Sequence, residues 1–200
     1  MKGYTKPLLI IFLVLLADQV LKTWIKTNMY IGQEFKIIGN WFIIHFTENN
    51  GMAFGLEFGG EFGKLALSLF RIFAVAGIGY GLHYLIKHKY HRGLILNVAL
   101  IFSGALGNII DSVLYGKIYG YAGLFHGRVV DMFYFPILQG NFPSWVPIWG
   151  GEDFVFFRPV FNIADAAISV GVIIILIFQK TYFKEEIKEE IGPNNEVVEE

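Results

Sequence analysis

The sequence has 200 residues, of which 54% are hydrophobic and only 16% are charged, so a disordered chain is excluded. Its net charge of −1 leaves no basic excess for a nucleic-acid-binding protein. Because cysteine is absent, disulfides, thiolate metal sites and thiol nucleophiles are excluded as well.

Four apolar segments are long enough, or nearly so, to cross a membrane as helices. They cover about residues 7–25, 65–86, 94–114 and 164–178, against the roughly 20 residues that a ~30 Å hydrocarbon layer requires. The first has the basic start of a signal peptide, but no small-residue cleavage site follows it. The sequence therefore predicts an all-α membrane protein with a bundle of four transmembrane helices.

Basic residues mark one end of this predicted bundle. They precede the first span, connect the second to the third and follow the fourth: Lys2, Lys6, residues 87–92, Lys180, Lys184 and Lys188. The positive-inside rule then predicts cytoplasmic termini and two outer segments, residues 26–64 and 115–163. We expect one membrane domain over residues 1–182 and a disordered acidic tail over residues 183–200, which contain seven Glu.

The two outer segments are expected to be ordered. Residues 41–47, WFIIHFT, form an aromatic and β-branched run that is typical of a short strand. Residues 115–163 contain four Pro and many aromatic side chains, which indicate an ordered loop against the outer headgroups. A small extracytoplasmic segment containing β-structure is therefore predicted.

Four of the five aspartates are predicted to collect at the outer end of the bundle. At 1.5 Å per residue, Asp18 lies ~17 Å along the first span and Asp111 lies ~26 Å along the third. Asp165 begins the fourth span, and Asp131 lies in the outer loop before it. Ionisable groups at membrane depth are costly and usually face a protein interior or a cavity, so the cluster predicts a functional site.

Structural interpretations of two of these acids remain open. Asp165 stands three residues after Asn162, where an N-cap and an acid favoured by the helix dipole are expected. Asp18 lies one helical turn before Lys22, and the two side chains could pair with each other and extend toward the surface. Neither arrangement needs a function.

The other two acids also have ordinary explanations. Gly104, Asn108 and Asp111 recur on one helix face, a pattern that helix packing with an interhelical hydrogen bond would produce. Asp131 has Arg128 nearby in the sequence, and a salt bridge between them would be unremarkable.

Motifs for other hydrolytic chemistries are absent from the sequence. It contains no HExxH, GxSxG, GxGxxG or P-loop, and its histidines have no metal-ligand spacing, so neither a metal nor a cofactor is expected. Two aspartates that share one proton can hydrolyse an amide. The alternatives are a transporter or proton relay, which requires acids at several depths, and a non-enzymatic scaffold.

Five motifs in order, between Asp18 and about Gly171, resemble the lipoprotein signal peptidase family, bacterial signal peptidase II. They are DQVLK at residues 18–22, NNGMAF at 49–54, GALGNIID at 104–111, VVD at 129–131 and FNIAD at 161–165. Each motif alone is weak evidence. Their order within a four-span chain makes the resemblance specific.

The resemblance implies an aspartic endopeptidase that cuts a prolipoprotein signal peptide immediately before the diacylglyceryl-modified cysteine. It implies a multi-pass protein of the bacterial cytoplasmic (inner) membrane with its active site at the outer face, no metal, and membrane lipids and globomycin-type inhibitors as further partners. The implied catalytic residues are Asp131 and Asp165. The implied supporting residues are Asn49, Gly51, Asn108, Asp111 and Asn162, together with the pair Asp18 and Lys22.

The sequence departs from the family pattern in three places. Ser112 stands where an arginine commonly follows the third-helix aspartate, and we expect Arg128 or Arg158 to replace that guanidinium. Leu21 stands where a small hydroxyl residue is common. The loop over residues 132–161 is longer than expected, which suggests a modified lid or platform.

Overall fold

The computed structural model describes residues 3–50, 60–136, 138–141, 143–145, 147, 151–156 and 159–183. Four long helices dominate it: α1 (Thr5–Asn28), α2 (Gly60–Lys87), α3 (Arg92–Ile110) and, after the short α4 (Gly116–Ile118), α5 (Ile163–Tyr182). In the part of the chain that the structure describes, four helices are long and apolar enough to span a membrane, with the third extending to Ile118. The predicted fold class is confirmed.

The outward faces of these helices are apolar, as a lipid environment requires. Side chains such as Phe12, Phe70, Phe73 and Ile177 are at least 60% exposed. In water such apolar surfaces would promote aggregation, whereas their exposure to the hydrocarbon of a bilayer carries no free-energy penalty. The chain is therefore a multi-pass membrane protein.

A four-stranded antiparallel sheet covers one end of the bundle. Its strands are β1 (Glu34–Ile38), β2 (Phe42–Asn49), β3 (Val129–Tyr134) and β6 (Val160–Phe161), in that spatial order. A second sheet pairs β4 (Leu138–Asn141) with β5 (Asp153–Phe156). The strand expected over residues 41–47 is present as β2. The segment that contains Asp131 is a strand rather than the expected loop, because β2 pairs with it across more than 80 residues of sequence.

Small residues allow the helices that carry the polar motifs to touch. A Cβ at Gly104 would lie 2.2 Å from the Ala164 carbonyl oxygen on α5, and one at Gly107 would lie 2.8 Å from Asp18 Oδ2 on α1. Glycine is therefore required for α3 to approach both neighbours this closely. The polar face of α3 consequently lies between α1 and α5.

A π-helical turn over Asp111–Tyr115 interrupts the end of α3. Such turns are rare in proteins, and many of those that occur lie at functional sites. The loop before β3 returns against this turn, where Gly127 N donates to the Ser112 carbonyl at 2.8 Å. A Cβ at Gly127 would lie only 2.0 Å from the Asp111 carbonyl oxygen, so glycine permits the contact. This contact brings the start of β3 to the C-terminal end of α3.

An apolar cluster holds the sheet on the bundle. It joins α1, the two central strands and the π-helical turn through the buried side chains Ile25, Met29, Phe46, Tyr115, Val130 and Met132. Val130 and Met132 flank Asp131 and are fully buried. Their burial fixes the register of β3 and therefore the direction of the carboxylate between them.

Candidate functional site

Eight of the nine site residues expected from the sequence meet at one end of the bundle. The ninth, Gly51, lies outside the described residues. The eight are linked by hydrogen bonds and ion pairs that join α1, α3, α5, β2 and β3: Asp18, Lys22, Asn49, Asn108, Asp111, Asp131, Asn162 and Asp165.

Lys22 is the centre of a buried ionic cluster. Its Nζ lies 2.9 Å from Asp18 Oδ2 and 2.8 Å from Asp111 Oδ2, and it donates to Asn108 Oδ1 at 3.0 Å. All three charged side chains are at most 1% exposed. The pairing of Asp18 with Lys22 is confirmed, but the idea that the pair extends toward the surface is wrong, because Asp111 draws the ammonium inward.

The N-terminus of α5 is capped from two helices. Asn162 Oδ1 accepts from Asp165 N at 2.9 Å, and Asp165 Oδ2 accepts from Asn162 N at 3.3 Å, which completes a capping box. Asp18 Oδ1 accepts from Ala164 N at 3.0 Å. The capping role expected for Asp165 is therefore present. It leaves Asp165 Oδ1 to accept from Asn108 Nδ2 at 2.8 Å.

Asp111 connects the ionic cluster to the sheet. Its Oδ1 accepts from Gln19 Nε2 at 2.9 Å, and its Oδ2 accepts from Val130 N at 3.4 Å. Tyr115 in turn donates to Gln19 Oε1 at 3.2 Å. Gln19 was not among the residues expected from the sequence, although it lies inside the DQVLK motif.

Asp131 is 3% exposed and is surrounded by amides. Asn162 Nδ2 donates to its Oδ1 at 2.7 Å, and the Asn49 side chain also hydrogen-bonds it. Burial, and then the charge of Asp165, raises the pKa of Asp131 to about 7, against the lowering effect of these hydrogen bonds and of Lys22. Asp131 is therefore protonated for much of the time at neutral pH.

The expected salt bridge between Arg128 and Asp131 does not form. Arg128 Nη1 instead donates to Glu48 Oε2 at 3.1 Å, and Lys26 also pairs with Glu48. Arg128 lies immediately before β3, and its guanidinium is engaged by Glu48 on the paired strand β2. Asp131 is left to its amide partners and Asp165.

Asn162 joins the two proposed catalytic aspartates. Its Oδ1 holds the backbone N–H of Asp165, and its Nδ2 holds Asp131 while also lying 3.2 Å from Asn108 Oδ1 and from the Val130 carbonyl. The side chain is fully buried. A carboxyl with a raised pKa beside a second carboxyl is a pair that can share one proton.

One charged residue near this pair was missed by the sequence interpretation. Arg71 on α2 donates from Nη1 to Ser112 Oγ at 3.3 Å, and its charge acts on Asp165 and Asp131. Arg128, one of the two expected substitutes for the arginine absent at position 112, pairs with Glu48 instead, and Arg158 lies outside the described residues. Within its apolar span Arg71 is the only Lys, Arg, Asp or Glu, which was a usable signal.

Among the described residues, no group of three or more His, Asp or Glu side chains has the arrangement of a metal site.

Comparison with known proteins assigns the family. A family model described as signal peptidase (SPase) II matches residues 10–181. A lipoprotein signal peptidase from Porphyromonas gingivalis is 50% identical, covering 84% of this chain and 80% of that protein, and one from Amoebophilus asiaticus is 39% identical, covering 90% and 79%. A solved structure described as a bacterial membrane enzyme matches with a TM-score of 0.60 and 28% identity, covering 96% of this chain and 94% of the other. The chain therefore belongs to the signal peptidase II family and is a membrane protease.

Proposed function

We propose that the chain is an aspartic endopeptidase that removes signal peptides from prolipoproteins, cleaving before the diacylglyceryl-modified cysteine. Asp131 and Asp165 activate the attacking water. The observation that carries this proposal is the position of Asn162, whose amide nitrogen donates to Asp131 while its oxygen accepts from Asp165 N. One buried side chain thereby ties the Asp131 carboxyl to the backbone of Asp165 at the start of α5, which brings together the two elements that carry the acid–base pair.

The two carboxyl groups have different partners, and this difference supports different roles for them. Asp165 accepts N–H donors from Asn108 and Asn162, which stabilise a carboxylate. The pKa of Asp131, raised to about 7 by burial and by Asp165, favours its neutral form. In this proposal Asp165 takes a proton from water, and protonated Asp131 donates a hydrogen bond to the scissile carbonyl.

The position of the pair along the bundle suits a membrane-anchored substrate. Asp165 lies at the start of α5 and Asn108 at the end of α3, so both lie at the end of the bundle opposite the basic connection between α2 and α3. With that basic end in the cytoplasm, the site faces outward in the bacterial inner membrane and both termini are cytoplasmic. A signal helix can then lie between the spans while water reaches its outer end.

The lipid of the substrate can remain in hydrocarbon during cleavage. A diacylglyceryl group contributes ~0.8 kcal/mol for each buried CH₂, so its two chains hold the precursor in the same membrane plane as the dyad. The bilayer lipids therefore concentrate and orient the substrate for the enzyme. A globomycin-type cyclic peptide is expected to inhibit by occupying the same dyad.

The test is cleavage of a lipidated precursor by purified protein, followed as a mass shift. Asp131→Asn and Asp165→Asn should each lower kcat by at least about 1,000-fold, because an amide cannot exchange the proton. Glu34→Gln is the matched control, since Glu34 lies on β1, 42% exposed, and pairs only with His45 among the described residues. Substantial cleavage by either aspartate variant would contradict the dyad, and a wild-type protein that leaves the precursor intact would contradict the substrate.

A further inference from the structure

A cavity opens at the end of the bundle opposite the proposed dyad. Its volume is about 370 Å³, and it lies between the start of α1, the connection from α2 to α3 and the first turn of α3. Small-molecule sites in proteins have volumes of ~300–1,000 Å³, so the cavity is large enough for a polar headgroup. The residues that line it belong to no part of the dyad network. The cavity is therefore separate from the proposed protease site.

The cavity combines an exposed cationic rim with a buried apolar floor. Three exposed basic side chains line it, Lys6 on α1, Lys89 in the connection and Arg92 at the start of α3. Pro7 and Ile86 line the same cavity, and both are buried. Pro7 begins the first apolar span and Ile86 ends the second. The floor therefore lies at the depth where hydrocarbon meets the lipid headgroups.

The three cations of the rim have no anionic partner among the described residues. The ion pairs in that part of the chain involve other basic side chains, and neither Lys6, Lys89 nor Arg92 forms a side-chain hydrogen bond there. The first turns of α1 and α3 contain no Asp or Glu. Asp18 lies ~18 Å along α1 from Lys6, and Asp111 lies ~28 Å along α3 from Arg92. Three uncompensated positive charges therefore meet at one cavity.

Contacts between helices hold the walls of the cavity in place. Tyr4 Oη lies 3.0 Å from His83 Nδ1, which joins the start of α1 to the end of α2. The Tyr182 ring stacks on His91 with the ring centroids 4.9 Å apart, and Tyr182 Oη accepts from Asn97 Nδ2 at 3.1 Å. These two contacts join the start of α3 to α5. The backbone that carries the three cations is therefore preorganised.

We propose that this basic cavity binds an anionic phospholipid, with the phosphate at Lys6, Lys89 and Arg92 and the first acyl carbons against Pro7 and Ile86. Charge complementarity identifies the anion, because three unpaired cations at one place favour a phosphate. The apolar floor identifies a lipid as its source, because a soluble phosphate would leave that surface without an apolar partner. Basic pockets between transmembrane helices on the cytoplasmic side bind lipid headgroups in this way. The occupant therefore comes from the inner leaflet.

A specific site differs measurably from the general basic bias of a cytoplasmic surface. The positive-inside rule places Lys and Arg at this end whether or not a site exists. A diffuse attraction weights every basic residue at this end alike, whereas a site favours the ones that line the cavity. Lys87 and Lys180 are exposed at the same end of the bundle and lie outside the lining of the cavity. These two lysines therefore supply a matched comparison.

The test is native mass spectrometry of the full-length protein in detergent with phosphatidylglycerol or phosphatidylcholine of identical acyl chains. The wild type should bind phosphatidylglycerol at least about 10-fold more tightly. One basic residue contributes about a fivefold gain in affinity for anionic lipid, so Lys6→Gln combined with Lys89→Gln should weaken phosphatidylglycerol binding by about 25-fold. Lys87→Gln combined with Lys180→Gln removes the same charge outside the cavity and should weaken it by less than about twofold.

Equal losses in the two double variants, or equal affinities of the wild type for the two lipids, would overturn the proposal. Inorganic phosphate at the concentration of the lipid should not displace it, and displacement would identify a site for soluble anions instead. Melting temperatures in detergent without added lipid report whether the variants fold. If Lys6→Gln with Lys89→Gln does not fold, Arg92→Gln decides, with a loss of about fivefold expected and wild-type affinity overturning the proposal.

The acidic tail of the chain is the competing occupant, because residues 183–200 contain seven Glu. Replacing four of these acids with Gln in the full chain, at positions 185, 186, 189 and 190, should leave phosphatidylglycerol binding unchanged. A gain of about 10-fold would show that the tail occupies the cavity and would overturn the lipid assignment. None of these measurements depends on cleavage, so a failure of this proposal is distinguishable from a failure of the dyad.

Discussion

The four aspartates that meet at one end of the bundle form two pairs with different partners. Asp18 and Asp111 share the ammonium group of Lys22 at 2.9 and 2.8 Å. The carboxyl groups of Asp131 and Asp165 instead accept from amide side chains, Asn162 Nδ2 at 2.7 Å and Asn108 Nδ2 at 2.8 Å. All four carboxyl groups are acids of one type within one connected network, so the partner decides what each pair can do.

A lysine neutralises a carboxylate, whereas an amide only hydrogen-bonds it. The pair around Lys22 is therefore suited to holding α1, α3 and α5 together as charged groups. In the second pair, burial and then the charge of Asp165 raise the pKa of Asp131. A proton becomes the neutralising partner, and a proton can be exchanged during catalysis.

Removing the lysine from the first pair should have the largest effect. Lys22→Met leaves two buried carboxylates uncompensated and should lower the free energy of unfolding by about 5 kcal/mol. Thermal unfolding in detergent, followed by intrinsic fluorescence, measures the loss. Lys117→Met is a control near the same end of the bundle, since Lys117 has an exposed side chain. Wild-type stability of Lys22→Met would show that the ionic cluster is not structural.

Neutralising one acid of the second pair should instead stabilise the protein. Because the pKa of Asp131 is raised from 3.8 to about 7, the folded state binds more protons than the unfolded state between these values. The free energy of unfolding of the wild type therefore falls as the pH rises from 4 to 7. Asp131→Asn lacks the titrating carboxyl and should avoid up to about 4 kcal/mol of this decrease. The melting temperatures of the two proteins should be similar at pH 4 and differ most at pH 8.

The contrast between the two pairs would be refuted if Asp131→Asn were less stable than the wild type by the same amount at every pH. Glu34→Gln is the matched control for the acid-to-amide change, because Glu34 is an exposed acid on β1. Its difference from the wild type should be small and should not grow between pH 4 and pH 8.

The smallest effect is expected from removing the side-chain amide of Asn49, which hydrogen-bonds Asp131. The hydrogen bond from Asn49 favours the charged form of Asp131 and so lowers its pKa. Asn49→Ala should raise that pKa and move the basic limb of the cleavage profile upward by about one pH unit. The pH dependence of kcat measures the displacement. A downward displacement would show that Asn49 holds the neutral form of Asp131 instead.

Part of this site was accessible from the sequence because its signals are local. The capping box at Asn162 and Asp165 spans four residues, and the pairing of Asp18 with Lys22 spans one helical turn. Strand β3 was missed because VVDMFY is a run with one acid and no alternation, and its partner β2 lies far away in the chain. Ser112, the partner of Arg71, and Glu48, the partner of Arg128, were missed because they also lie far away in the sequence.

The sequence by itself determined the four spans, the N-terminus of α5 and the acids that required a buried environment. These features depend on hydropathy and on contacts within one or two helical turns. Only the tertiary structure decided that Asp111 also contacts Lys22 and that Asp131 is held by the amide of Asn162. That choice depends on α3 lying close to α1 and α5 through Gly104 and Gly107, and on β2 holding β3 against the bundle. Proximity across the chain controls desolvation and charge pairing, and these two effects distinguish a structural aspartate from one that can exchange a proton.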